Sequence, residues 1–294
     1  MTSEEAVKNY GDKVSPPFVE RRDGLPYDMV WYRGKRYLAP LSIASASEGD
    51  GPGGRQIRCR LSDQSGVLIE TQEATLLFDW YRSILPPIRR DKPLHVFISH
   101  IHQDHFNLGQ LSLAKRFPDV SVYLGYDYSE DWLNDDLEKL PEVCADSVSC
   151  FRENQLLNID GGSVQSLPST DLGVAFLVHI NGMTFFHAGD LFPWPGTEPV
   201  FLDCIAPLQD VQIDYAMLPA DPRFPEAAQF CVSAFLSQSD IKYFTPIHLW
   251  DQPDFVKAFA ANNTQFRRKM VFRDFGGVKI TRSEGKQSAF VLEL

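Results

Sequence analysis

Long apolar runs are missing from this 294-residue sequence, and that absence removes membrane-spanning readings first. The longest apolar stretches, LHVFIS (94–99) and VAFLVHI (174–180), fall far short of the ~20 residues a helix needs to cross a bilayer. The opening residues, MTSEEAVKNYGDK, are polar and acidic, and no lipidation signal is present. A soluble, cytoplasmic protein without a membrane partner is expected. Cysteine is scarce too. The five cysteines (Cys59, Cys144, Cys150, Cys204 and Cys231) are odd in number, widely spaced and form no CxxC pair. They read as buried thiols in a reducing compartment and not as a disulfide framework. There is no internal repeat, no low-complexity tract, and no glycine pattern of a flavin or Rossmann site.

Positive charge is thin beyond residue 92. Residues 1–92 carry 14 Lys/Arg against 13 Asp/Glu, whereas the remainder carries 14 against 26, for a net −11 overall. Nucleic-acid binding needs basic surface, so this acidic body disfavours it. Arg55, Arg58, Arg60, Arg89 and Arg90 form either an anion-facing edge or an ordinary solvated surface. With 44% apolar and 23% charged residues, the chain has enough core-forming material to fold over most of its length.

The stretch SEGDGPGGR (47–55) is a loop by composition and divides the chain. Residues 1–55 read as an N-terminal extension packed on the main domain, with a possible strand in MVWYRGKRYLAPL (29–41). Residues 56–294 read as one α/β domain. IRCRL, GVLIET and ATLLFDW suggest three successive strands, the last ending on Asp79, and LHVFIS a buried one. Apolar residues at 108, 111, 114 and 117 predict a helix over 108–117. VSVYLG (120–125) returns as a strand, and SEDWLNDDLEKL (129–140) reads as an acidic amphipathic helix. GVAFLVHI and MTFFHAGD predict two strands joined at Asn181-Gly182, a hairpin dipeptide. DYAMLPA (214–220) and KYFTPIH (242–248) predict strands, and AAQFCVSAFLSQ and PDFVKAFAANN helices. VKIT and SAFVLEL are expected as edge strands. Strands in two batches with helices between them suggest two sheets enclosed by helices.

The sharpest chemical signal is Ser99-His100-Ile101-His102-Gln103-Asp104-His105. Only seven histidines occur in the chain, and three fall within these positions. The run follows an apolar strand and precedes a helix. On an extended chain, residues two apart share a face, so His100 and His102 can grip one cation. Asp104 and His105 lie where the chain turns and can reach a second. Imidazole with carboxylate suits zinc first, and also manganese or iron.

This HxHxDH run resembles the signature of the metallo-β-lactamase superfamily, and other stretches agree with it. The superfamily's Asp ahead of HxHxDH corresponds to Asp79 in LLFDWY. Its Asp after a hairpin corresponds to Asp190 in FFHAGD, and its late strand-end His to His248 in TPIHLWD. HAGD with DYAMLP looks like the branch of metal-dependent hydrolases that includes sugar-acid-phosphate lactonases. The resemblance spans about residues 56–280 and implies a four-layer αββα sandwich with metals at one edge of the sheets. One position departs from the pattern. Where the superfamily has a His before the hairpin, this sequence has Ser169, in Pro168-Ser169-Thr170-Asp171-Leu172-Gly173, and a serine hydroxyl is a poor zinc ligand beside imidazole.

The resemblance therefore implies one or two divalent metal ions held unequally. The first group keeps His100 and His102, with Asp190 as a bridge and Asp171 as a possible rescuer. The second keeps Asp104, His105, His248 and Asp190, and should fill first. A divalent cation lowers the pKa of its water to roughly 7, so a metal-bound hydroxide would attack a small anionic substrate, a lactone or phosphoester. Asp104 is the candidate catalytic residue. Asp79, Ser169, Thr170, Asp171 and His187 are candidates for supporting or substrate-facing positions. His187 is equally readable as a satisfied core histidine, and His95 and His179 read as structural. Trp80, Trp194 and Trp250 each follow a motif and either wall the site or pack the core. Two other readings stay open: a metallo-phosphodiesterase or nuclease, and a metal-binding protein whose hydrolase activity has decayed. The expected partner is a small molecule, and a homo-oligomer is compatible with the sequence.

Overall fold

Strands that are apolar on both faces need a cover on each side, and the central stretches of this chain have that composition. The computed structural model describes residues 54–61, 64–81, 85, 87–102, 104–106, 108–125, 147–250, 252 and 254–271, with short strands at 19–21, 27–32, 35–40, 281–282 and 288–293. The acidic stretch 129–140, Cys144, Gln103 and most of VKIT lie outside the described residues.

Near the N-terminus, β1 (Val19–Arg21), β2 (Tyr27–Tyr32) and β3 (Lys35–Pro40) form a three-stranded antiparallel sheet, so MVWYRGKRYLAPL is most of a hairpin and not one strand. Next come β4 (Gln56–Leu61), β5 (Val67–Glu70), β6 (Thr75–Phe78), β7 (Leu94–Ile98), the short α1 (Leu108–Ser112), β8 (Val120–Gly125) and β9 (Val148–Phe151). Then follow β10 (Leu156–Ile159), β11 (Gly162–Pro168), β12 (Val174–Ile180), β13 (Met183–His187), α2 (Glu198–Ile205) and β14 (Gln212–Pro219). The remaining elements are α3 (Pro225–Gln238), β15 (Asp240–Ile247), α4 (Asp254–Asn262), β16 (Thr281–Arg282) and β17 (Ser288–Glu293).

Two sheets carry the domain. One runs β16-β17-β4-β5-β6-β7-β8-β9 and the other β10-β11-β12-β13-β14-β15. The last long strand is not an edge. β17 lies between β16 and β4, pairing Phe290 with Cys59, so the chain's C-terminal stretch closes onto the first strand of the domain. β6 through β9 run parallel, as do β13, β14 and β15.

Side chains alternate across the first sheet. Val67, Ile69, Leu76, Phe78, Phe97 and Tyr123 face the core shared with the second sheet. Leu68, Leu77, Val96, Ile98, Val122 and Leu124 face a separate cluster with Leu111, Leu113 and Phe117. Phe97 meets Phe176 edge-on across the two sheets at 5.4 Å. On the far side of the second sheet, Phe186 meets Phe235 of α3 at 5.5 Å. Four layers result, helix, sheet, sheet, helix. α3 starts with Pro at its first position, where a missing N–H costs nothing. It buries Ala228, Cys231, Val232 and Phe235, a one-sided helical stripe. The helix expected over 108–117 is α1 for its first turn and tightens into a 3-10 turn at 113–115. β9, β10, β11 and α2 lack a strong periodic signature and emerge only from the structure. No helix among the described residues is long and apolar enough to cross a membrane.

Candidate metal centre

Five parallel strands, two in the first sheet and three in the second, end at one place. Asp79 follows β6, Ser99–His105 follow β7, Asp190 follows β13, Asp221 follows β14 and His248 follows β15. Loops at the carboxyl ends of parallel strands are where α/β folds gather polar groups, because the strands themselves are sealed. The backbone is bent to reach. Asp79 (φ 41°), His248 (φ 63°) and Trp250 (φ 45°) adopt left-handed conformations that cost non-glycine residues energy and persist only where surroundings impose them.

The first supporting layer is built on Asp79, which is fully buried. Its Oδ1 accepts the Ser99 N–H at 2.8 Å, and its Oδ2 accepts the Ser99 hydroxyl at 2.6 Å and His105 Nδ1–H at 2.7 Å. Ser99 Oγ has spent its proton on Asp79, so at 3.0 Å it accepts from His100 Nδ1–H. Both imidazoles are thereby fixed with the proton on Nδ1 and the Nε2 lone pair turned the other way, the tautomer a metal ligand needs. Gly173 makes this packing possible. A Cβ there would stand 2.1 Å from the Ser99 carbonyl oxygen and 2.5 Å from His100 Cβ, and its φ of +76° already favours glycine. The next residue ties the same spot down, with Val174 N–H donating to Ser99 O at 3.0 Å.

Facing away from that layer, six side chains converge in two groups. His100, His102 and Asp190 form one, and Asp104, His105 and His248 the other, with ligand atoms in each within 4.8 Å of one another. Asp190 straddles them. Its Oδ2 is 3.5 Å from His100 Nε2, while its Oδ1 is 3.1 Å from His105 Nε2 and 3.4 Å from His248 Nε2. His100 Nε2 and His102 Nδ1 are 2.9 Å apart. Asp104 Oδ2 lies 3.6 Å from His105 Nε2 and 3.7 Å from His248 Nε2.

These separations fit a cation. Ligands at about 2.1 Å in tetrahedral array lie about 3.4 Å from each other. His105 Nε2 and Asp190 Oδ1 are both buried without a properly directed hydrogen bond, an expensive arrangement unless something else satisfies them. Nitrogen and oxygen donors without a thiolate suit zinc, manganese or iron.

Electrostatics point the same way. Burial would raise the Asp190 carboxyl, but the neighbouring His105 and His248 hold it well below the usual range. Burial would also raise Asp79, and His187 and His105 bring it down. Burial disfavours a charged His105, yet Asp190 and Asp79 together lift it well above the ordinary imidazole value. His100 is pushed down to about 3 by burial and by His105. Two sealed carboxylates thus favour a positive charge beside them, at His105 or as a bound cation.

The second supporting layer involves Asp221, which the sequence reading missed. This carboxylate is fully buried, and its Oδ2 accepts His248 Nδ1–H at 3.2 Å and the Trp250 indole N–H at 3.1 Å. Arg223 completes it, with Nη2–H donating to Oδ2 at 2.6 Å. Burial would raise Asp221, but the hydrogen bonds from His248 and Arg223 hold it at about 2. His248 thus receives the support that Asp79 gives His105. The available signal was an Asp closing a buried strand, as Asp79 does. Ser99 was equally legible, as the residue between strand and HxHxDH run.

The remaining candidates fall elsewhere. Thr170 clamps the loop after β13, donating to Phe192 O at 2.6 Å while accepting the Phe192 N–H at 2.9 Å. Ser169 Oγ accepts the Asp171 N–H at 3.4 Å. The Asp171 side chain is exposed, accepts the Leu172 N–H at 2.9 Å, and belongs to neither ligand group among the described residues. His187 is a satisfied core histidine. Its Nε2–H donates to Ser65 O at 3.2 Å, its Nδ1 accepts the Gly189 N–H at 3.1 Å, and its ring stacks on Phe78. His95 bonds the Tyr123 hydroxyl in the core, and His179 is exposed on β12. Trp80 is core, whereas Trp194 and Trp250 flank His248 with ring centroids 6.2 and 5.3 Å away.

Comparison with family models and with curated proteins gives no match. Comparison with solved structures does. Igni18, a metallo hydrolase from the hyperthermophilic archaeon Ignicoccus hospitalis KIN4/I, is 15% identical with a TM-score of 0.55, over 81% of this chain and 99% of that one. YhfI from Bacillus subtilis, a metallo-β-lactamase fold protein, is 14% identical with a TM-score of 0.51, over 76% and 98%. CmlA, a diiron β-hydroxylase from Streptomyces venezuelae, is 12% identical with a TM-score of 0.53, over 83% of this chain. This chain spans 55% of CmlA's length. By layer order, by the strand ends that meet and by these neighbours, the chain has the metallo-β-lactamase fold.

Proposed function

We propose that this protein is a metal-dependent hydrolase acting on a small anionic substrate, a lactone or phosphoester. The observation that carries the reading is the Asp190 carboxylate, one oxygen directed to His100 and the other to His105 and His248. One carboxylate serving two ligand groups is suited to a pair of divalent cations. Such ions supply Lewis-acid polarisation of a carbonyl or phosphoryl oxygen and an activated water.

The chain's own residues do the rest. Asp79 and Asp221 hold the imidazoles in the ligand tautomer and raise their basicity. Asp104, with 19% of its side chain exposed, is the carboxylate of the second group that solvent reaches. It orients the attacking water and holds a proton for the leaving group at its free oxygen. The fully buried His100 and His105 keep bulk water off the inner side. His100, His102 and Asp190 offer three ligands, while Asp104, His105 and His248 with Asp190 offer four. The second group therefore binds more tightly, and zinc is the expected metal there.

Elemental analysis of the unchelated protein, paired with hydrolysis assays on lactones and phosphoesters, tests this. About one tightly held zinc per chain, a second that dialysis strips, and turnover abolished in Asp104→Ala would support it. Two irons per chain without hydrolysis would favour an oxidation, the chemistry named for CmlA. Metal without turnover in any assay would favour the decayed metal binder.

A further inference from the structure

Beside the ligand groups lies a positive charge that takes no part in holding the metals or in the proposed hydrolysis. Arg223 donates to Asp221 through Nε, at 3.0 Å to each carboxylate oxygen, and through Nη2 at 2.6 Å. Its guanidinium carbon sits 4.1 Å from the centre of the Trp250 ring. That ring is itself held by the Trp250 N–H bond to Asp221, and its centroid is 5.3 Å from that of His248. One edge of the guanidinium is clamped and one face is stacked, so its orientation is set before any ligand arrives. The arginine side chain nevertheless keeps 44% of its surface and Trp250 keeps 40%. Nη1 meets no acceptor among the described residues, so its two N–H donors and the second one of Nη2 remain for use.

Pairing with Asp221 occupies only the Nε and Nη2 edge of the guanidinium. That carboxylate already has the His248 imidazole, the Trp250 indole and the Arg223 backbone N–H as donors. A planar guanidinium with a free edge, stacked on an aromatic ring, is the side-chain geometry that recognises carboxylate and phosphate. We infer that Arg223, aligned by Asp221 and Trp250, binds the anionic group of the substrate beside the His248 ligand group, and so selects substrates bearing a carboxylate or phosphoryl group. This inference rests on the hydrolase reading for the identity of the bound molecule.

The test is binding of methyl phosphate and of glutarate to the zinc-loaded full chain, followed by calorimetry and tryptophan fluorescence, with dimethyl glutarate as the neutral control. Arg223→Gln should weaken both anions roughly 10- to 100-fold at unchanged zinc content, and leave the neutral diester unaffected. Arg223→Lys should recover part of the affinity by charge alone. Equal anion affinity in wild type and Arg223→Gln would overturn the inference. So would absence of saturable anion binding by the wild type, or a loss matched by loss of zinc, since Arg223 would then act only through Asp221 and His248. Arg223-dependent anion binding by a chain that hydrolyses nothing would instead sink the hydrolase reading and leave this one standing.

Discussion

Asp79 Oδ2 accepts the His105 Nδ1 proton at 2.7 Å, and neither side chain exposes any surface. Hydrogen bonding to the far nitrogen makes Nε2 of His105 the available lone pair, 3.1 Å from Asp190 Oδ1. A carboxylate that binds no metal therefore decides how a ligand is presented. Asp221 repeats the relationship at His248 from the other sheet.

Asp79→Asn should weaken metal binding by roughly 10- to 100-fold, the usual cost of losing such a supporting partner. The amide keeps the size but surrenders the charge and one of the acceptors that Ser99 and His105 share. Competition against a chromophoric chelator would read the change. Wild-type affinity in the variant would remove Asp79 from the ligand scaffold.

Gly173→Ala should destabilise the fold by about 2 kcal/mol or more, since a collision with Ser99 O and His100 Cβ adds to the left-handed backbone cost. Gly182→Ala is the control. It has the same kind of φ, +74°, but nothing within 4 Å of the added carbon. Its cost should stay near 1 kcal/mol. Urea unfolding of the two variants separates collision from conformation, and equal losses would discard the packing argument.

Acid should weaken the metal-free protein in two overlapping windows, one set by buried histidines and one by carboxylates. Burial depresses the His95 imidazole below its ordinary value. Its unfolded form takes up a proton near pH 6.5 while the folded form resists, so stability is complete above that point and falls as pH drops through it. Asp221, held at about 2, contributes stability above its unfolded value of about 3.9, which is lost as pH falls toward 2. His95→Gln should shrink the first window without abolishing it, because burial depresses His100 and His187 in the same sense, and should leave the second. An unchanged profile in that variant would reassign the first window to another group.

Asp104→Ala should abolish turnover while shifting the unfolding midpoint by only a few degrees. The side chain is partly exposed and its nearest ligand-group contacts are long, 3.6 Å to His105 and 3.7 Å to His248. Thermal unfolding and initial rates on the same preparation check this together. A large stability loss would recast Asp104 as structural.

The sequence by itself determined the elements with a strong period and the ligands with a tight spacing. Apolar runs at 94–98 and 174–180, the Asn181-Gly182 turn and the stripe of α3 follow from local chemistry. So does the pairing of His100 with His102, since two residues apart on an extended chain share a face. What lies outside that reach is long-range. Nothing local announces that Asp221 meets His248 across 27 positions, or that Ser99 sits between Asp79 and two imidazoles. The short strands β9 to β11 owe their form to pairing partners more than to composition, as β-structure commonly does. Asp171, close in sequence to the missing ligand, turned instead to its own backbone, because an exposed Asp satisfies a neighbouring N–H at little cost. His187 could be read either way until Ser65 and Gly189 were seen to take both ring nitrogens. Which polar groups spend their hydrogen bonds on the fold, and which keep them for a ligand, depends on distances between segments far apart in the chain, and only the tertiary structure sets those.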